Sequence, residues 1–80
     1  MLTGSAADGV YRDSLMDELR RIALAVVEGE RQLAEQEARL VSLKKQGGDV
    51  SQAELALELM RETQQRNEQD RQRLLSLLQP

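Results

Sequence analysis

The sequence predicts an all-α fold, an antiparallel two-helix hairpin of coiled-coil type, and three observations carry that prediction. Apolar positions recur at alternating steps of four and three between residues 15 and 43. A Gly47-Gly48 pair interrupts the pattern, and a second stretch of similar spacing runs from residue 53 to 77. Leu, Ala, Glu, Gln and Arg dominate the 80 residues, with Tyr11 the only aromatic, which is the usage of long helices.

Residues 1–12 read as a flexible amino-terminal arm, because small and polar residues around Gly4 and Gly9 bury little apolar area. The hairpin domain then spans 13–80. Its first helix is expected over 13–46, with Asp13 or Ser14 as cap and Asp17 and Glu18 at the positive end of the helix dipole. The seam of this helix runs Leu15, Leu19, Ile22, Val26, Gly29, Leu33, Gln36, Leu40, Leu43, with Gly29 and Gln36 as its two faults. Lys44 and Lys45 suit the negative carboxyl end, and Gly47 or Gly48 supplies the left-handed stop.

The turn is expected at 47–50 and the second helix over 51–78. Ser51 and Glu54 have the spacing of a capping box, Val50 and Leu55 that of a hydrophobic staple, and Asp49 is an alternative cap. One seam of this helix reads Ala53, Ala56, Met60, Thr63, Asn67, Asp70, Leu74, Leu77, with Leu57, Leu59 and Leu78 adding apolar area. A turn centred near residue 48 would set Gln36 opposite Met60 to Thr63 and Gly29 opposite Asn67. Gln36, Thr63, Asn67 and Asp70 would then form a polar seam in mid-hairpin, the kind of feature that fixes register at a cost in stability.

Two helices of about 32 and 28 residues, roughly 48 and 42 Å long, bury too little apolar area to offset the chain entropy they give up. With no cysteine for a disulfide, association is the remaining source of burial. A second stripe on the first helix, Leu24, Val27, Ala34, Ala38 and Val41, interrupted by Arg31, supplies a surface for it. The expected assembly is a homodimer forming a four-helix bundle, with the stripe meeting a second copy or another protein.

The chemistry is narrow. Without Cys or His there is no zinc finger, no Ser-His or Cys-His pair and no Glu-x-x-His element of a di-iron bundle. Neither phosphate-loop nor dinucleotide glycine pattern occurs. No enzyme, cofactor or metal role is therefore expected. The net charge of −3 is interspersed, so neither nucleic acid nor a membrane surface is indicated. Arg61, Arg66, Arg71 and Arg73 are offset by Glu62, Glu68 and Asp70, which weighs against a Rop-like RNA-binding dimer. A small secretion or flagellar-type chaperone is a further alternative. The apolar run Ile22 to Val27 is too short to span a bilayer, no secretory signal opens the chain, and a cytoplasmic location is expected.

From Glu30 onward a pattern emerges in Glu30-Arg31, Ala34, Gln36, Leu43, Gly47-x-Asp49, Ala53, Leu57, Glu62-Thr63, Asp70-Arg71-x-Arg73-Leu74-Leu75 and Leu78. In these residues the chain resembles a group of short helical proteins common in rhizobia and related alphaproteobacteria. Asn67 stands where that group often carries His. The resemblance implies a helical hairpin and brings no established activity with it; from the self-associating hairpin and its exposed stripe, the expected function is a non-enzymatic protein-protein interaction module, acting as a small scaffold, adaptor or regulatory protein.

Overall fold

In the computed structural model of the protein, which describes residues 2–79 and side chains from Gly9 onward, two helices pack side by side and antiparallel. Helix α1 spans Leu2–Lys45 and α2 spans Ser51–Leu78. The molecule measures 69 × 17 × 14 Å. Among the described residues no helix is long and apolar enough to cross a membrane.

Helix α1 begins much earlier than expected. Residues 2–12, read from the sequence as an arm, are helical, because each helical hydrogen bond is local and no proline interrupts the segment. Met1 lies outside the described residues. The Arg12 guanidinium donates to the Leu78 carbonyl at 3.3 Å, which places the end of α2 beside Arg12. Residues 2–11 of α1 therefore run on alone for roughly 15 Å. A cation at that carbonyl satisfies one of the four acceptors a helix leaves unpaired at its carboxyl end.

The turn is closed by backbone chemistry. Gly47 adopts φ +72°, and its N–H donates to Lys44 O at 3.1 Å while Gly48 N–H donates to Leu43 O at 3.0 Å. This pair of bonds is a Schellman motif, and it ends α1 at Lys45, one residue short of the expected boundary. At the start of α2 the expected capping box does not form. Val50 is the cap residue, with no side-chain cap bond, and Ser51 is already the first helical residue. The carboxylate of Asp49 accepts the Ser51 N–H at 3.0 Å instead. Leu55, the expected staple partner of Val50, is exposed.

On α1 every expected seam position from Leu15 to Leu43 is buried or half-buried. On α2 the phase is different. Its inward line is Ala53, Leu57, Met60, Gln64, Asn67, Leu74 and Leu78, while Thr63 and Leu77 are exposed. The first step from Ala53 is four residues, to Leu57, because the larger Leu57 buries more apolar area than Ala56 would in the other phase. Val26, Ala53, Leu57, Leu74 and Leu78 form the buried apolar core, and even Leu74 retains 3% of its surface.

Candidate functional site

Three surfaces of the hairpin carry its chemical character: a pair of buried glutamines between the helices, an apolar stripe on the outside of α1, and a groove along one edge. The glutamines interlock reciprocally. Gln36 Nε2, on α1, donates to Ala53 O of α2 at 3.2 Å, and Gln64 Nε2, on α2, donates to Val26 O of α1 at 2.7 Å. Each bond is sequestered, so it acts at lower effective dielectric than it would in water. Each glutamine also needs room, which Ala53 and Gly29 provide. A Cβ placed on Gly29 would overlap the Gln64 carboxamide oxygen and lie 2.8 Å from its carboxamide carbon. Gly29 is thus fitted to Gln64. Gln64 Oε1 has no hydrogen-bond partner within the hairpin.

The polar seam is therefore arranged differently from the sequence expectation. Gln36 is buried, Asn67 and Asp70 are half-buried, and Thr63 is outside the seam, its place taken by Gln64. Gln36 lies opposite Ala53, not Met60 to Thr63, and Gly29 lies opposite Gln64, not Asn67. These contacts are centred between about residues 44 and 47, on the amino-terminal side of the expected centre near 48. Counting heptads from Leu57 to Leu78 finds Gln64; counting from Ala56 to Leu77 misses it.

The stripe Leu24, Val27, Ala34, Ala38 and Val41 lies on the face of α1 turned away from α2, and all five residues are exposed. Leu24 keeps 70% and Val27 65% of its surface. Arg31, which interrupts the stripe, is ion-paired with both Glu28 and Glu35. Hydrogen bonding to Arg31 holds the Glu28 carboxyl below its ordinary value, and the two carboxylates raise the guanidinium in turn. Asp49 is likewise lowered, first by its bond from the Ser51 N–H.

The two long edges of the hairpin differ. One is bridged by the Arg61–Glu37 ion pair at 3.8 Å. The other is open, with a groove of about 400 Å³ lined by Ala25, Gly29, Gln32, Leu59, Met60 and Thr63 among others. Beyond Met60 a second depression of about 460 Å³ continues it toward the turn, reaching Ala56, Ala53 and Arg39. Small side chains at Ala25, Gly29 and Ala56 make the hollow, and Leu59 stands exposed at its rim. Among the described residues no group of three or more acidic side chains converges as a metal site.

Comparison with protein-family models, with curated proteins and with solved structures finds no match for this chain.

Proposed function

We propose that this protein is a non-enzymatic helical interaction module that self-associates as a dimer, pairing two hairpins into a four-helix bundle and serving as a small scaffold, adaptor or regulatory subunit. The observation that carries this reading is an imbalance in burial. Inside the hairpin no apolar side chain among the described residues is wholly removed from water, whereas Leu24, Val27, Val41, Leu55, Leu59 and Leu77 each leave half or more of their surface exposed. Burying those side chains against further helices supplies apolar free energy that one pair of helices lacks, at about 25 cal/mol per Å².

Two apolar surfaces suit a hairpin to hold more than one neighbour: the outer stripe of α1 and the grooved edge. The glutamine pair fixes one register between the helices, so both surfaces are presented in a single relative position. Light scattering across a dilution series, with helicity followed on the same samples, tests the reading. The expected mass is near 18 kDa, twice the 9.0 kDa chain, with helicity falling as the dimer dissociates. A fully helical monomer at every concentration would refute it.

A further inference from the structure

We infer that the second copy docks on the grooved edge, antiparallel to the first, around a twofold axis that crosses α1 between Glu28 and Gly29. This rests on the self-association proposed above and specifies its surface.

The argument begins with four residues of α1 spaced by seven, which therefore share one face: Glu18, Ala25, Gln32 and Arg39. Ala25 and Gln32 line the groove and Arg39 lines its continuation, so this face is the open edge. Its charge is antisymmetric, negative at Glu18, neutral at Ala25 and Gln32, and positive at Arg39. An antiparallel copy brings Glu18 against the partner's Arg39 and Arg39 against the partner's Glu18. Arg39 forms no ion pair within the described part of its own chain, whereas Glu18 pairs there with Arg21, so the partner's Arg39 would share the Glu18 carboxylate with Arg21. A parallel copy would instead set α1 beside the partner's α2 and would leave Arg39 away from the partner's Glu18.

Shape and polarity agree with charge. Near the axis the groove is hollow at Ala25, Gly29 and Thr63, which lets helices approach closely, while Leu59 at the rim gains burial; the Glu28 carboxylate, which also lines the groove there, is already paired with Arg31 of its own chain. The partner's Gln32 falls over Ala25, beside the Gln64 carboxamide, whose buried oxygen is unpartnered within one hairpin. From Glu18 to Arg39 the edge is roughly 32 Å long. Across the 17 Å width of the molecule that is roughly 1,100 Å² for the two copies together, above the floor of about 1,000 Å² for a biological interface and at the weak end of the range.

Sedimentation equilibrium on the full chain and three variants tests this, with helicity checked for each. Arg39→Glu, at an exposed position, is expected to weaken the dimer about tenfold by setting like charges together at two symmetric sites. Adding Glu18→Arg restores the pairing with inverted sign and should recover the wild-type affinity. Leu24→Glu with Val27→Glu is expected to leave the dimer intact. A second readout uses the absence of cysteine: Glu28→Cys, close to the axis, should link to its own copy under mild oxidation. An unchanged Arg39→Glu dimer, or no recovery in the double variant, overturns the edge docking. A dimer lost with Leu24→Glu and Val27→Glu and kept with Arg39→Glu overturns it too, because the second copy then sits on the stripe and self-association itself stands. A wild-type monomer overturns both.

Discussion

Gly29 and Gln64 should behave as one unit, and their coupling can be worked from the structure. In an ordinary helix interior, Gly→Ala stabilises by about 1 kcal/mol through lower backbone entropy in the unfolded chain. Here the added Cβ would occupy the space of the Gln64 carboxamide, which must swing out. That breaks the 2.7 Å bond to Val26 O, worth about 1 kcal/mol net, and uncovers part of a side chain only 7% exposed. Two methylenes brought toward solvent cost up to about 1.6 kcal/mol more. Gly29→Ala alone is therefore expected to destabilise by up to about 1.6 kcal/mol. In a Gln64→Ala background the space is free, and the same change should stabilise by about 1 kcal/mol. The double-mutant cycle then shows a coupling of about 2 to 3 kcal/mol, opposite in sign between backgrounds. Urea unfolding followed by circular dichroism, at one fixed chain concentration, reads it directly. Additive effects within about 0.5 kcal/mol would refute the fit of Gln64 to Gly29.

Other sites give simpler outcomes. Leu74→Ala removes the most buried apolar side chain and should cost about 2 to 3 kcal/mol, the lower part of the usual range because a cavity between two helices opens to water, as measured by urea unfolding. Gly47→Ala forces an L side chain to φ +72° and should cost about 1 kcal/mol, whereas Gly48→Ala has room and should be near neutral; thermal melts of the two variants compare them. Asp49 is held below its ordinary value of 3.8 by the Ser51 N–H, so its contribution is complete above that pH and is lost as pH falls through the lowered folded value. Helicity in an acid titration should accordingly fall less steeply for Asp49→Asn, which keeps the acceptor oxygen and has no carboxyl to protonate.

Much of the candidate site was legible in the residues. The α1 seam follows from spacing alone because nine positions in phase leave no second solution. The outer stripe follows too, since residues three and four apart on a helix must share a face. Gly47 was legible as a stop because only glycine takes a positive φ cheaply. The α2 phase was not, because Ala56 and Leu57, like Leu77 and Leu78, stand next to each other and both sets satisfy a heptad. The role of Asp49 was open for a similar reason, two adjacent polar residues competing for one N–H.

The sequence by itself determined that the chain forms two helices, where it reverses, and which face of α1 turns inward, since these rest on local bonds and on periodicity within one segment. Only the tertiary structure decided the register between the helices and which glutamine is buried against which carbonyl. It also decided which edge closes through Glu37 and Arg61 and which stays open beside Gly29. Those features depend on pairs of residues 17 to 38 apart, joined by the exact geometry of the turn, and a shift of a few residues there exchanges every partner while leaving each helix unchanged.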